Sequence, residues 1–291
     1  MTQTSKKIVV GMAAYNGEGT IGASIRSLLN QSHSNLELII SDDGSCDKTL
    51  SIIENFAKLD SRIRVFSQMT NLGPLGNFNF VLELAEAEYF MWASQDDLWN
   101  LDFIGNCLQA IERAPSASYA IPRWICESRT IPYVRRIGLP NMYFLENTDP
   151  VQRMLEFTAL PFTSFKDNLT YGVFKRADLW EVMSVLSGKV KYFSIGNIHN
   201  EYTVLKMKGV VVRKAILRKR YKYFPPGHLF DKMLAISRIL SYRNKKKLYP
   251  VYTAADHLSD LETVLREYGV ADEVVAKAIY LNKLHLNDAN Y

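Results

Sequence analysis

Two adjacent carboxylates, Asp96 and Asp97, directly follow the short polar pair that ends the apolar run Tyr89–Ala93. The run has the composition of a buried strand. Neighbouring carboxylates at the end of such a strand repel each other and lose hydration unless a positive charge lies beside them. A divalent cation that carries a diphosphate would supply this charge, and Mg²⁺ needs few protein carboxylates when phosphate oxygens complete its shell. The pair predicts a Mn²⁺ or Mg²⁺ site; the alternative is a solvated acidic turn.

A second acidic pair, Asp42 and Asp43, follows the strand-like run Leu36–Ser41. A carboxylate at the end of this strand can accept a hydrogen bond from the ring N–H of a pyrimidine. Tyr15, which follows the first strand-like run, can stack on the face of the same base. These residues predict a nucleotide site; the alternative for the acidic pair is an Asx-turn that closes the strand.

Strand and helix patterns alternate through the first hundred residues, with short connections between them. The predicted strands are Lys7–Ala14, Leu36–Ser41, Arg62–Ser67 and Tyr89–Ala93, and the predicted helices begin at Thr20, Asp47 and about Gly76. Such alternation is typical of an α/β protein with a mostly parallel central sheet and helices on both faces. Ligands of these sheets bind beyond the carboxyl ends of the strands. We therefore expect the loops Tyr15–Gly19, Asp42–Ser45 and Ser94–Asp97 to meet at one rim.

The composition of the 291 residues, 47% hydrophobic and 22% charged, is typical of a soluble globular protein. No apolar run approaches the roughly 20 residues of a membrane span, and the N-terminus lacks a signal-peptide pattern, so we expect a cytoplasmic chain. Cys46, Cys107 and Cys126 are too far apart to indicate a disulfide framework or a zinc site. The first polar loop has neither a dinucleotide-binding nor a phosphate-loop pattern, which disfavours hydride transfer and phosphate-loop chemistry.

The net charge of +5 is concentrated in one span, because Asp231 is the single acidic residue between Lys206 and Pro250. A basic surface of this kind suits anionic lipid, diphosphate or nucleic acid, and the alternative is a solvated face. A nucleic-acid-binding protein is disfavoured because no known recognition module is present. The cluster Arg243–Lys247 suggests reversible contact with an anionic membrane at the inner face of the plasma membrane.

Four segments, in this order and spacing, resemble the family-two inverting glycosyltransferases of the GT-A fold. The segments are residues 9–16, 41–49, 71–78 and 95–99. The Gln-Asp-Asp-Leu-Trp variant of the last segment, with Asn77 and Phe78 upstream, is most similar to bacterial rhamnosyltransferase-type members. The resemblance is strong over residues 7–100 and weaker from there to about residue 220.

The resemblance implies a nucleoside-diphospho-sugar donor, UDP- or dTDP-linked, and a saccharide or lipid-linked saccharide acceptor in bacterial surface polysaccharide synthesis. It assigns the base to Ala14 and Tyr15, and the pyrimidine ring to Asp43. It further implies that Asp42 contacts the ribose or supports the loop. The remaining implied donor or metal residues are Asn71, Gly73, Asn77, Asp96 and Asp97.

One position departs from the family pattern, since Ser94 stands where the first acidic residue of the family's Asp-x-Asp metal motif is expected. A neutral hydroxyl is a weaker ligand for a hard cation than a carboxylate. The alternative function is therefore a non-catalytic nucleotide-sugar-binding relative.

In the second half, the resemblance implies that Glu201, at the start of a predicted helix, is the catalytic base, with His199 as the alternative. It also implies that Arg220, Lys222 and His228 cover the diphosphate. Residues 1–225 are predicted to form the glycosyltransferase domain, in which residues 1–100 bind the donor and residues 101–225 carry the acceptor and catalytic half. Residues 226–291 are predicted to form a helical appendage, through which homo-oligomers could assemble.

Overall fold

The computed structural model describes residues 6–128, 135–138, 142–160, 166–186, 198–221, 254–267 and 269–288. The predicted sites Lys222 and His228 and the cluster Arg243–Lys247 lie outside these ranges. The pattern of residues 229–242 predicts a helix, and these residues also lie outside the described ranges. Among the described residues, none of the helices combines the length and the apolar character that crossing a membrane would require.

Strands and helices alternate in the first half as predicted, and the predicted strand bounds and helix starts differ from the observed ones by at most three residues. The elements are β1 (Ile8–Ala14), α1 (Ile21–Leu29), β2 (Leu36–Asp42), α2 (Thr49–Leu59), β3 (Ile63–Ser67), α3 (Gly73–Glu83) and β4 (Tyr89–Ser94). Helix α3 begins about three residues before the predicted start, because Pro74 is favourable in a first helical turn, where its missing N–H leaves no hydrogen bond unmade.

The strands of this half form a parallel sheet in the order β3-β2-β1-β4. Ala14 of β1 is in register with Asp42 of β2, and Ala13 is in register with Ser94 of β4. The three strands therefore end at the same level, which confirms the predicted common rim. The position of Gly11 in β1 leaves no room for a side chain, because an added Cβ would lie 2.7 Å from Val81 of α3 and 2.8 Å from Phe90.

The second half continues the same sheet with mixed strand directions. Its elements are β5 (Leu98–Trp99), α4 (Phe103–Arg113), β6 (Tyr119–Ser128), β7 (Arg135–Gly138), α5 (Pro150–Ala159), β8 (Val173–Lys175), α6 (Arg176–Leu186), α7 (Ile198–Lys206) and β9 (Gly209–Tyr221). Strand β8 joins β4 to β6 by antiparallel pairing, β6 pairs in parallel with β9, and β9 pairs with β5. Strand β7 pairs with β6 at the side of this path.

Two strand patterns of this half differ from the structure. The run Ala117–Ile121 predicts a strand that ends before Pro122, yet β6 continues through Pro122 to Ser128, and the β6–β9 register shifts between Pro122 and Arg123. An irregularity of this kind accommodates a proline, which has no N–H for the ladder. The run Leu169–Phe174 also predicts a strand; its first residues instead end a 3₁₀ helix, and β8 begins at Val173.

Two C-terminal helices, α8 (Ala254–Glu267) and α9 (Asp272–Asp288), pack against the second half. Helix α8 contacts α7, and α9 contacts α5 and α8. Gly269 between them has a φ of 68°, as expected for a glycine that ends a helix. The buried hydrophobic residues described in these two helices belong to the main hydrophobic cluster; they are Leu261, Val264, Leu265, Val275 and Ala278.

Candidate active site

The three polar loops at the rim are joined by side-chain hydrogen bonds. The carboxamide of Gln95 accepts the N–H of Tyr15 at 3.0 Å and donates to its carbonyl at 2.9 Å. Asn16 donates its N–H to Ser45 Oγ and accepts the N–H of Cys46, both at 2.9 Å. The loops after β1, β2 and β4 therefore form one connected surface.

The loops after β1 and β2 each turn at a residue whose backbone is in the left-handed region. Asn16 has a φ of 47°, and Gly44 has a φ of 75°. Asparagine and glycine adopt this conformation at lower cost than other residues. The two residues turn the chain sharply after β1 and β2, so the loops remain short and close to the strand ends.

Asp42 closes the turn that follows β2. Its carboxylate accepts the N–H of Ser45 at 3.0 Å and the hydroxyl of Ser45 at 2.5 Å. Both bonds are local, and they match the turn that was the alternative reading of the acidic pair. Asp42 thus shapes the loop in the structure, as one of its two predicted roles required.

Asp43 connects the β2 loop to the start of α3. Its carboxylate accepts the N–H of Leu72 at 2.7 Å, while its own carbonyl accepts from the side chain of Asn71 at 2.9 Å. Asn71 also accepts the N–H of Gly73, whose φ is 75°. Burial raises the pKa of Asp43 above its usual value, although the N–H groups of Leu72 and Gly73 oppose this effect. Asp43, Asn71 and Gly73 therefore form one unit at the rim.

The other predicted donor residues differ in accessibility. The ring of Tyr15 is 42% exposed at the rim, whereas Ala14 is buried and its carbonyl accepts the N–H of Asp43 at 2.8 Å. Asn77 is also buried, and its side chain donates to the carbonyl of Ser41 at 3.0 Å. Tyr15 thus offers a surface for a base, while Asn77 holds α3 against β2.

Asp97 is buried beneath the rim and forms an ion pair with Lys219 of β9. The distance from Lys219 Nζ to Asp97 Oδ2 is 2.6 Å, and the same ammonium lies 4.1 Å from the ring centroid of Tyr171. Burial raises the pKa of Asp97 to about 6, while the charge of Lys219 lowers it and that of Asp96 raises it. The ammonium of Lys219, which lies 122 positions from Asp97 in the sequence, therefore compensates the charge of that carboxylate.

Asp96 lies beside this pair and is partly exposed. Its carboxylate accepts the hydroxyl of Ser94 at 2.5 Å, and its carbonyl accepts from Arg220 Nε at 2.8 Å. Arg220 also contacts Ser24 Oγ at 3.4 Å, and Ser24 donates to the carbonyl of Gln95 at 2.9 Å. Lys219 and Arg220, two adjacent basic residues of β9, thus bind the loop that bears Asp96 and Asp97. Lys219 contacts a carboxylate, and Arg220 contacts a backbone carbonyl.

A divalent metal fits this loop through Asp96 better than through both carboxylates. Asp96 is accessible and Ser94 places a second oxygen next to it, whereas Asp97 is buried and paired with Lys219. No cluster of three His, Cys, Asp or Glu side chains suited to a metal ion occurs in the part of the chain that the structure describes. A hard cation accepts one protein carboxylate when a diphosphate supplies further oxygens.

Glu201 lies in the first turn of α7 and is fully buried. Asn282 of α9 donates a hydrogen bond to Glu201 Oε1 at 3.2 Å. His199, in the same turn, is hydrogen-bonded through Nε2 to Thr170 Oγ1 at 2.7 Å. Burial lowers the pKa of His199 to about 3, so its imidazole is neutral near pH 7. Glu201, one of the two predicted bases, is therefore bonded to a C-terminal helix.

Several residues that organise the site were not predicted from the sequence. Gln95 belongs to a recognised segment, but its bonds to Tyr15 depend on the register of β1 and β4. Lys219 lies in the basic span that predicted an anionic partner, yet it and Arg218 neutralise Asp97 and Glu127. Asn282 is a single polar residue on a helix far along the chain. For Lys219 and Asn282, no local pattern indicates the partner.

Among the curated relatives that this chain matches over part of its length are two bacterial sugar transferases. The E. coli protein WfaP, a UDP-Glc:alpha-D-GlcNAc-diphosphoundecaprenol beta-1,3-glucosyltransferase, is 37% identical over 101 residues, which is 35% of this chain and 39% of WfaP. The dTDP-rhamnosyl transferase RfbG of Shigella flexneri is 33% identical over 105 residues, which is 34% of this chain and 36% of RfbG. The matched part therefore spans well under half of each relative.

Two solved structures share the fold over nearly the whole chain. S. aureus TarS 1–349 in complex with UDP-GlcNAc is 17% identical with a TM-score of 0.62, covering 97% of this chain and 72% of TarS. The mannosyltransferase PcManGT from Pyrobaculum calidifontis, in complex with GDP-Man and Mn²⁺, is 15% identical with a TM-score of 0.57, covering 99% of this chain and 74% of PcManGT. The family model named Glycosyl transferase family 2 matches residues 9–172, more than half of the sequence. The chain belongs to glycosyl transferase family 2.

Proposed function

We propose that the protein transfers a sugar, with inversion, from a UDP- or dTDP-linked donor to a saccharide or lipid-linked saccharide acceptor. The observation that carries this proposal is the common rim, where hydrogen bonds join the loops that bear Tyr15, Asp43 and Asp96. In a parallel sheet, a ligand bound beyond the strand ends contacts all of these loops at once. The names of the similar proteins WfaP and RfbG support both kinds of donor.

The nucleotide binds on the β1 and β2 loops. The exposed ring of Tyr15 stacks on the base, and the backbone of Ala14 lines the same edge. Asp43 uses one oxygen for the N–H of Leu72, and its remaining acceptor positions are suited to the ring N–H of uracil or thymine. Asn71 and Gly73 border the ribose, because Asn71 donates to the carbonyl of Asp43 and accepts the N–H of Gly73.

The diphosphate lies at the β4 loop, next to Asp96 and Arg220. Asp96 would hold Mn²⁺ or Mg²⁺, with Ser94 beside it, while Asp97 is paired with Lys219. When bound, the metal neutralises negative charge that develops on the departing diphosphate. The guanidinium of Arg220, held at the same loop, supplies a fixed positive charge for this purpose.

Glu201 accepts the proton of the acceptor hydroxyl as the hydroxyl oxygen attacks the anomeric carbon from the face opposite the diphosphate. General-base assistance of this kind contributes about 10²–10⁴ in rate. Because Glu201 is fully buried, the helices that cover it must separate enough to admit the acceptor. Residues 1–100 thus bind the donor, and residues 101–225 supply the base and the acceptor site.

We extend the proposal to the acceptor and to the place in the cell where the protein acts. A diphosphate-lipid-linked saccharide is our preferred acceptor, because similar proteins act on such molecules according to their names. We further propose that the protein acts in the cytoplasm, in bacterial surface polysaccharide synthesis, with reversible contact between its basic residues and anionic lipid. Such contact contributes about 1 kcal/mol per basic residue near the surface.

The test measures nucleoside diphosphate release from UDP-glucose and dTDP-rhamnose, with Mn²⁺, Mg²⁺ or EDTA, and with a synthetic GlcNAc-diphosphate-lipid as acceptor. We expect metal-stimulated release that increases with acceptor and is reduced at least tenfold in Asp96→Asn. Asp60→Asn, at the residue that directly follows α2, is the matched control and should retain activity.

Binding of UDP or dTDP without any release, with either donor and either metal, would contradict catalysis and support a nucleotide-sugar-binding relative. Ser94, in place of a metal carboxylate, is the observation that favours this second function. A thermal-shift measurement separates the two outcomes from a protein that binds neither nucleotide, since a bound ligand raises the melting temperature.

A further inference from the structure

Among the described side chains of α9, a buried polar one, that of Asn282, follows two buried apolar ones. Val275, Ala278 and Asn282 follow at intervals of three and four residues, and all three are fully buried. This spacing defines the face of a helix that packs on a core. At the third position an apolar residue would serve packing equally well, so the amide of Asn282 needs another explanation.

The amide of Asn282 is held in one orientation by its own helix. Its Nδ2 donates to the carbonyl of Ala278 at 3.1 Å and to Glu201 Oε1 at 3.2 Å. An amide nitrogen carries two hydrogens, so both bonds can form at the same time. The bond to the α9 backbone therefore directs the second N–H at the carboxylate of Glu201.

The carboxylate of Glu201 has an unusual environment for a group that exchanges protons. It is fully buried, and burial alone disfavours the charged form. A hydrogen bond from an amide to the charged form opposes this effect and also fixes which carboxylate oxygen is engaged. Oε1 is the oxygen that Asn282 engages, so this bond limits rotation of the carboxylate.

We infer that Asn282 is a positioning residue for the catalytic base, and that α9 completes the active site rather than serving only as an appendage. This inference rests on the proposed function, because it requires Glu201 to act as the base. Its physical basis is orientation: a base that is displaced by about 1 Å can lose on the order of 10²-fold in rate. The substrate class is unchanged, and the donor site on the β1–β4 loops is separate.

The test uses full-length Asn282→Leu and Asn282→Ser, assayed with UDP-glucose and the GlcNAc-diphosphate-lipid acceptor. Leucine has a similar size but no donor, and we expect kcat to fall about 10²-fold while the KM for UDP-glucose stays within about twofold. Serine keeps a donor, and a water can occupy the vacated space. We therefore expect Asn282→Ser to recover part of the lost kcat.

Val275→Ala is the matched control, because it removes buried volume from the same face of α9 without touching Glu201. It should lower the melting temperature and leave kcat near the wild-type value. Equal losses of kcat in Val275→Ala and Asn282→Leu would overturn the inference and indicate a merely structural role. A wild-type kcat in Asn282→Leu would also overturn it.

Failure of the inference can be told apart from failure of the proposed function. If wild-type protein turns over the donor but Asn282→Leu does so equally well, the positioning role alone is refuted. If wild-type protein releases no nucleoside diphosphate with any donor, the proposed function fails first. The rise in melting temperature on adding UDP, measured for each variant, verifies that the donor site is intact.

Discussion

The donor side and the acceptor side of the site both hold buried carboxylates, but they stabilise them in different ways. On the donor side, Asp43 accepts a backbone N–H from a neighbouring loop, and Asp97 is paired with a lysine. On the acceptor side, Glu201 contacts the neutral amide of Asn282. The proposed donor side therefore places full charges and backbone N–H groups beside its carboxylates, whereas Asn282 brings a neutral amide to Glu201.

This difference teaches how one fold can separate two tasks. An ion pair such as Lys219–Asp97 fixes a loop but lowers the basicity of its carboxylate. A neutral amide orients a carboxylate through a hydrogen bond and brings no full positive charge of its own to it. The predictions below test the two sides in turn, beginning with the largest expected effect.

Glu201→Gln should reduce kcat by about 10²–10⁴, because an amide cannot accept the proton of the acceptor hydroxyl. Affinity for UDP, measured by calorimetry, should remain near the wild-type value, since Glu201 lies on the acceptor side. Glu181→Gln, exposed on α6, is the control and should keep full activity. A Glu201→Gln protein with wild-type turnover would remove Glu201 from the role of base.

Lys219→Met should destabilise the protein by about 3–5 kcal/mol, because it leaves the buried carboxylate of Asp97 without its cation. Urea-induced unfolding at pH 7.5 measures this loss. The control is Arg218→Met, which breaks the more exposed pair with Glu127 and should cost about 0.2–1 kcal/mol.

The double variant Lys219→Met with Asp97→Leu should recover most of the stability lost in Lys219→Met, since no charge then remains buried. Equal losses in Lys219→Met and Arg218→Met would show that the buried pair has no special importance. The donor side would then be no more dependent on fixed charge than the acceptor side.

His199 should make the protein less stable in mild acid. Its pKa is lowered to about 3 in the folded state, against about 6.5 when unfolded, so the unfolded chain binds more protons between these values. The contribution is complete above pH 6.5 and declines as the pH falls toward 3; at pH 5 the loss is about 2 kcal/mol. The measurement is the urea midpoint at pH 7 and pH 5.

His199→Gln should remove this part of the pH dependence, because glutamine does not titrate and can still contact Thr170. If wild-type and variant protein lose the same stability between pH 7 and pH 5, His199 is not the responsible group. The result would also bear on the comparison, since a charged His199 would place a cation on the acceptor side.

Asp43→Asn should weaken UDP binding about tenfold, because the amide would direct a donor at the ring N–H of uracil. The same amide can donate to the ring nitrogen of cytosine, which is an acceptor. We therefore expect the variant to shift its preference from UDP toward CDP, as measured by calorimetry with both nucleotides. Unchanged selectivity between UDP and CDP would mean that Asp43 does not read the base.

The predictable part of the fold is the half in which each element is defined by its own residues. The strands β1, β2 and β4 are apolar runs that end in polar loops, and the parallel arrangement follows from short connections. In the second half, Pro122 was expected to end a strand, but pairing with β9 carries β6 across it. There, long-range pairing overrides the local signal.

The candidate site shows the same contrast. Asp43, Asp96 and Glu201 were predicted by type and by resemblance, and the structure places the first two at one rim. Lys222 and His228 remain predictions outside the described residues. The predicted metal role of Asp97 and the donor contact of Asn77 also remain untested, while the structure gives both residues protein partners.

The sequence alone determined the alternating strands and helices, the polar loops at the strand ends and the family resemblance, because these features depend on neighbouring residues and on spacing. The tertiary structure decided which charges meet: Lys219 reaches Asp97 across 122 positions, and Asn282 reaches Glu201 across 81. Such contacts are set by sheet order and helix packing, which bring together residues that no local pattern relates. Burial then determines their chemistry, since a carboxylate removed from water depends on the groups that the fold places beside it.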